Sequence, residues 1–289
     1  MMRQTSMSPD VSARAILAQH LFSASRRLGG ERALAIATAR VGTCGWAYPH
    51  WVGAFYPEGL RARDRFAHYA SAFDTVEIDN TFYRLPERST FLAWRRAAPE
   101  GFVYALKASR LIIHLKRLRD VREPLGVFLA RARLLKGRLG PVLYQLPPNV
   151  RKNLPLLVDF LALLPGDLRH AVEFRHESWY DEEVREAFER AGAALCVHDR
   201  ADCPSPRWAT APFVYCRFHG AGQSEGGLYG PRRLRSWARW LVERLDEGRD
   251  VHAYFNNDAG GGAVRDALAL RRMLNNRKQA IVNQDGPGD

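Results

Sequence analysis

Eight short, nearly continuous apolar runs recur along this chain, and their spacing leaves few folds open. They cover 41–44, 75–78, 102–106, 141–145, 170–174, 194–198, 213–217 and 251–255. Unbroken apolarity, rather than alternation, is the pattern of parallel strands covered on both faces. Between the runs lie segments of helical period at 65–73, 89–97, 124–135, 154–164, 181–191 and 232–245, with 262–274 after the last run. Asp181 ahead of Glu182-Glu183, and Pro231 ahead of an Arg-rich amphipathic stretch, supply helix-start signals. Trp237 and Trp240, three apart on that stretch, are expected to face the core. Strand–helix alternation over about 235 residues predicts a single-domain α/β protein, a (β/α)8 TIM barrel. A doubly wound open sheet is the rival, but no G-x-G-x-x-G follows the first run.

The barrel is expected to occupy 41–275 of the 289 residues, preceded by a basic, helical or flexible N-terminal extension (1–40) and followed by a polar C-terminal tail (276–289). No apolar run approaches the ~18 residues needed to span a bilayer, so no membrane partner is expected. The four cysteines show no C-x-x-C spacing, and the first residues show no signal-peptide pattern. Both fit a reducing, cytoplasmic setting.

Charge narrows the partners. Lys+Arg number 43 against 31 Asp+Glu, a net charge of +12, and only five of the cations are Lys. Arg forks onto phosphate and carboxylate, so the excess invites an anionic ligand; Arg-biased codon usage produces the same composition. The excess is uneven. Between 110 and 140 stand Arg110, Lys116, Arg117, Arg119, Arg122, Arg131, Arg133, Lys136 and Arg138, opposed only by Asp120 and Glu123. Such a stripe can track the phosphates of a nucleic acid.

In a TIM barrel the chemistry collects where strands end. Those ends carry Trp46, Glu77, Tyr83, Lys107, Gln145, Glu173, Arg175, His198, Arg217, His219, Asn256, Asn257 and Asp258. Lys107, Arg175 and Arg217 suit an anion site, with Trp46, Tyr83, Asn256, Asn257 and Asp258 as further ligand contacts. His198 and His219 are the candidate proton carriers. Glu77 and Glu173 are costly inside apolar strands unless paired. They read as buried ion-pair partners, Glu77 with Lys107 and Glu173 with Arg175 or Arg217, or as catalytic carboxylates. As a free pair they would suit a glycoside hydrolase. A divalent metal is a lesser candidate, held by His198, Asp199, His219, Glu173 and Asp258. No H-x-H or H-E-x-x-H spacing supports it, and Arg175 and Arg217 would repel a cation.

The strand ends also resemble a known family, domain-of-unknown-function family 72, also called YecE-like. The matching segments are Gly42-Thr43-Cys44-Gly45-Trp46 with Trp51 and Phe55-Tyr56-Pro57, and Thr75-Val76-Glu77-Ile78-Asp79-Asn80-Thr81-Phe82-Tyr83-Arg84. Further on come Gln145-Leu146-Pro147-Pro148, Val172-Glu173-Phe174-Arg175-His176 with Ser178-Trp179, Arg217-Phe218-His219-Gly220, and Tyr254-Phe255-Asn256-Asn257-Asp258 with Gly262-Ala263. The resemblance spans 41–274 and implies a TIM barrel without bringing a reaction. Fold likeness to metal-dependent endonuclease and sugar-isomerase barrels suggests nucleic-acid or phosphate chemistry, by analogy alone. Cys44 stands where the family usually has Ser, Asp79 where it has Asn, and Ile113 where it has Thr. The expected function is binding, with hydrolysis as an extension, of a phosphate-bearing ligand at the barrel mouth. The alternatives are a non-catalytic nucleic-acid-binding barrel and a carbohydrate-active enzyme using Glu77 and Glu173.

Overall fold

In the computed structural model, residues 37–220 and 227–284 are described, the side chains as far as 276. Most of the expected N-terminal extension lies outside the described residues. Eight strands form one parallel sheet: β1 (Ala39–Thr43), β2 (Thr75–Ile78), β3 (Val103–Lys107), β4 (Leu139–Gln145), β5 (His170–Glu173), β6 (Ala194–His198), β7 (Phe213–Phe218) and β8 (Asp250–Phe255). Their order is β1-β8-β7-β6-β5-β4-β3-β2, so the first and second strands form the two edges. Strands β2, β5, β6 and β7 are buried at every position, as continuous apolar runs require when helices cover one face and the lumen the other.

The main helices are α1 (Arg65–Ala72), α2 (Asn80–Tyr83), α3 (Arg88–Ala97), α4 (Arg122–Ala132), α5 (Leu154–Leu161), α6 (Glu182–Ala191), α7 (Pro231–Asp246) and α8 (Gly262–Gln284). Local chemistry sets their ends. At α6 the Asp181 carboxylate accepts from the Val184 N–H at 3.1 Å, and Gly192 at φ +64° stops the helix in the left-handed region. Pro231 opens α7, whose Leu234, Trp237, Trp240 and Leu241 are buried against the barrel. The backbone of α8 continues past 275, where the barrel was expected to end. No helix separates β6 from β7. There the Thr210 hydroxyl donates to Ala193 O at 2.8 Å and accepts from Leu195 N–H at 2.9 Å, while Arg207 lies over Trp237 at 3.8 Å and helps cover the wall.

The barrel closes at the β1–β2 seam by unusual means. Gly45 N–H donates to Glu77 O at 2.8 Å, the bond beside the Cys44–Glu77 bridge. Deeper in, the Tyr69 hydroxyl from α1 replaces the missing ladder bond. It accepts from Thr43 N–H and donates to Thr75 O, both at 3.0 Å. The strands are so close there that a Cβ on Gly42 would collide with Thr75 O. The lumen is filled by a second cluster in which small Ala105, Ala171 and Ala194 make room for the rings of Tyr215 and Tyr254, 5.2 Å apart. That layer is the floor of the site.

Tyr69→Phe should leave a buried N–H and a buried C=O unpaired at the seam and cost about 2–4 kcal/mol. Gly42→Ala should cost at least as much, because backbone rather than a flexible side chain must move. Equilibrium urea denaturation checks both; a loss under about 0.5 kcal/mol for either would show that the seam does not depend on this contact.

Candidate functional site

Side chains two apart on a strand share a face, so β2 turns Thr75, Glu77 and then Asp79 toward the lumen, and β7 turns Phe213, Tyr215 and Arg217. Arg217, 1% exposed, spans the barrel between two glutamates that are 0% exposed. Its Nη2 lies 2.7 Å from Glu77 Oε1 and its Nη1 2.8 Å from Glu173 Oε2. The other carboxylate oxygens are also engaged. Tyr215 Oη donates to Glu77 Oε2 at 2.5 Å, Cys44 Sγ donates to Glu77 Oε1 at 3.1 Å, and Arg175 Nε pairs with Glu173 Oε1. Two carboxylates without partners would be prohibitive here; paired and hydrogen-bonded they are tolerated.

The two glutamates have opposite proton preferences. Burial pushes Glu77 above the ordinary carboxylate range, against Arg217 and with help from neighbouring Asp79. Burial acts on Glu173 in the same sense but loses to Arg175 and Arg217, which hold that carboxyl well below the usual range. Burial and the Glu77 charge push the Cys44 thiol up, so it stays a protonated donor where the resemblance expects a serine hydroxyl.

Above this bridge the mouth opens. Asp79 Oδ1 lies 3.5 Å from Lys107 Nζ and 3.7 Å from Arg217 Nη2, so Lys107 pairs with Asp79 and not, as expected, with Glu77. Its ammonium also stands 4.6 Å from the centre of the Phe82 ring. Burial and Arg217 lower the pKa of His219 to about 2, and its Nε2 reaches only to 4.0 Å from Glu173 Oε1. His198 Nε2 sits between Phe174 O at 2.8 Å and Tyr180 Oη at 3.1 Å, with its ring 6.1 Å from that of His219. Burial lowers its pKa as well. Asn256 Nδ2 approaches His219 Nδ1 at 3.5 Å. Buried atoms of His219 (Nε2), His114 (Nε2) and Asp79 (Oδ1) have no hydrogen-bond partner among the described residues.

Of the residues expected from sequence, Glu77, Lys107, Glu173, Arg175, His198, Arg217, His219 and Asn256 come together around this mouth. Others do not. Asn257 is 0% exposed and donates to Gly227 O and Asp266, tying down a loop. Asp258 is held by Trp51 Nε1 at 2.6 Å and His50. Tyr83 projects outward, 72% exposed. The lesser metal candidate is split: Glu173, His198 and His219 stay near one another, but Asp199 accepts from His219 N–H and Tyr229 Oη while Asp258 serves Trp51. Among the described residues the one group spaced for a cation is Cys44, Glu77 and Asp79, and the Arg217 guanidinium already faces all three. The free carboxylate pair needed for glycoside hydrolysis is also absent from the mouth, since one guanidinium bridges both glutamates. Sequence reasoning passed over Tyr215, whose position two before Arg217 on one strand face was the available signal.

The basic stripe divides in two. Arg131 donates to Pro86 O and pairs with Glu87, and Arg133 forks onto Asp167. Arg117 and Arg119 instead make no ion pair among the described residues and line a groove of about 220 Å³ with Arg151 and Lys152 from the next strand's loop.

A parallel eight-stranded barrel whose mouth sits on a buried Glu–Arg–Glu bridge is the class of protein this geometry defines. The match to the family model "Protein of unknown function DUF72" over residues 40–288 makes it specific: the chain belongs to the DUF72 family. It is 25% identical to the UPF0759 protein YunF of Bacillus subtilis over 270 residues, covering 81% of this chain and 94% of that one. It is 31% identical to the UPF0759 protein YecE of Escherichia coli K12 over 141 residues, 48% and 49% of the two chains. The crystal structure of a DUF72 family protein from Thermotoga maritima superposes with a TM-score of 0.75 at 27% identity, over 82% of this chain and 99% of that one. A DUF72 family structure from Enterococcus faecalis gives 0.70 at 21%, over 82% and 96%. No helix among the described residues is long and apolar enough to cross a membrane.

Buried histidines set an acid limit on the fold. His170, His219 and His252 have pKa values lowered to about 4, 2 and 3, chiefly by burial. Unfolded, each titrates near 6.5. Folding therefore releases protons below that value, so stability is full above pH ~6.5 and is lost as pH falls toward the folded values. Near pH 5 unfolding should take up about three protons from these groups, a slope of about 4 kcal/mol per pH unit. Urea denaturation at pH 7.5 and 5 should show this fall, and His252→Gln should flatten it; equal stability at both pH values would refute the assignment.

Proposed function

We propose that the barrel mouth binds a small anionic ligand carrying a phosphate group. The observation that carries this reading is the pair of cations Lys107 and Arg175, 13% and 11% exposed, at the ends of β3 and β5 around buried imidazole nitrogens that lack partners. Buried polar atoms are rarely left unpaired, and a ligand oxygen would pair them. His114 senses both cations, since after burial the charges of Lys107 and Arg175 contribute to lowering its pKa. Neutral imidazoles beside an ammonium and a guanidinium form a hydrogen-bonding cradle for an anion. Arg217, expected to hold the anion directly, supports the site from below through Glu173 and Asp79.

Binding accounts for these groups better than hydrolysis does. With Glu173 held ionised by Arg175 and Arg217 and His219 held neutral by burial and Arg217, neither exchanges a proton readily near neutrality. Glu77, whose pKa is raised, is sealed beneath Arg217. Calorimetric titration of the full chain with inorganic phosphate and with glycerol phosphate should show saturable binding. Lys107→Met should weaken it at least about tenfold, roughly 1.4 kcal/mol. Unchanged affinity in that variant would overturn the reading.

A second reading rests on the groove. Arg117, Leu118 and Asp120 hold positive φ values of +50°, +71° and +48°, a strained path for non-glycine residues that keeps the Arg117 and Arg119 loop beside Arg151. Unpaired arginines from two mouth-side loops suit the phosphates of a single-stranded nucleic acid. Oligonucleotide binding followed by anisotropy should weaken steeply with salt. Replacing Arg117, Arg119 and Arg151 by Glu should shrink the log K–log salt slope by about 2, at ~0.7 per phosphate contact. Charge reversal of Arg185 and Arg190, which pair with glutamates on α6, serves as the control. An equal effect in the control would remove the groove from consideration.

A further inference from the structure

Beside the cationic mouth lies a pocket of about 210 Å³ that the anion reading does not use, walled by Trp46, Tyr48 and Ile78 with Asp79 and Asn80 at its edge. It is smaller than a drug-sized site and fits a single ring. Its walls are held in place. Tyr48 Oη donates to Cys44 O at 2.6 Å, and Tyr56 Oη donates to Trp46 O. The Trp46 ring packs edge-on against Phe66 at 5.2 Å. Gly45, at φ +81°, lets the Tyr48 ring lie against the backbone, where a Cβ would stand 2.8 Å from the tyrosine hydroxyl. Asp79 belongs to both compartments, lining this pocket while its buried Oδ1 stands 3.5 Å from Lys107 Nζ, which leaves Oδ2 for a ligand.

We propose that this pocket is the ring subsite of the same ligand, and that the ligand is a sugar phosphate. The inference rests on the anion reading above. Aromatic faces suit the C–H face of a sugar ring. A carboxylate accepts hydrogen bonds only, which suits paired hydroxyl donors; a base edge presents donors and acceptors together. Asn80, exposed beside Asp79, adds a carbonyl acceptor and an NH2 donor group for a further hydroxyl. With the ring on Trp46 and Tyr48, its hydroxyls reach Asp79 and its phosphate lies toward Lys107 and Arg175.

Calorimetry on the full chain separates the two claims, using inorganic phosphate, glycerol phosphate, ribose 5-phosphate, glucose 6-phosphate and AMP. At least one sugar phosphate should bind about tenfold or more tighter than inorganic phosphate. Trp46→Ala and Asn80→Ala should remove most of that increment while leaving phosphate binding intact, and Asp79→Asn, which keeps the shape, should reduce it. Asn80→Ala, at an exposed position, guards against a folding defect in Trp46→Ala. Phosphate binding without any gain from a sugar overturns the ring subsite and leaves the anion reading standing. No phosphate binding overturns both. AMP binding a further tenfold tighter than ribose 5-phosphate, with that gain lost in Trp46→Ala, would place a base in the pocket and overturn the sugar assignment.

Discussion

Arg217 is the interaction on which the mouth depends. One guanidinium, 1% exposed, joins a glutamate from β2 to a glutamate from β5 across the barrel. Replacing such a bridge with apolar side chains can be neutral, but removing one member strands the others, a loss of about 3–5 kcal/mol. The bridge therefore acts as a structural plate. It ties β2, β5 and β7 together beneath the strand ends that form the mouth. Tyr215 and Cys44 lock Glu77 from below and beside, so the plate has little room to rock.

The plate is electrically lopsided. Glu173 has two arginines and the imidazoles of His198 and His219 around it, whereas Glu77 shares Arg217 with the Asp79 carboxylate. The charge of the mouth is thus distributed unevenly across its width, with Arg175 on the β5 side and Lys107 with Asp79 on the β2–β3 side. An anion arriving at this rim would meet cations already oriented by carboxylates, Arg175 by Glu173 and Lys107 by Asp79. That arrangement is preorganised, and the ligand need not order the cations itself.

The net charge of +12 takes on a finer structure. In the wall it is matched locally, as with Arg133 on Asp167 and the arginines of α6 on their own helix's glutamates. Among the described residues Arg117, Arg119 and Arg151 have no ion-pair partner, and they lie on loops that leave the mouth end of the barrel. Composition is therefore a poor guide to where an anion would meet the surface. Pairing decides it.

Much of the fold was legible in the chain because period and apolarity are local. Each of the eight expected strands is present with its ends shifted by at most a few residues, and Trp237 and Trp240 face the core as their spacing requires. The site was legible as a set of strand-end residues but not as a set of partners. Lys107 is the ion-pair partner the sequence suggests for Glu77, yet closure places Arg217 between the two glutamates and leaves Lys107 to Asp79. Asn257 and Asp258 occupy strand-end positions like the others, but the path of their loop turns them to Asp266 and Trp51. By itself the sequence determined the parallel barrel, the strand ends and the residue types that crowd them, since backbone periodicity encodes which face each side chain takes. Only the tertiary structure decided which charges meet, because β2, β5 and β7 are brought within hydrogen-bonding reach by the closing of the sheet, and no spacing along the chain specifies that distance.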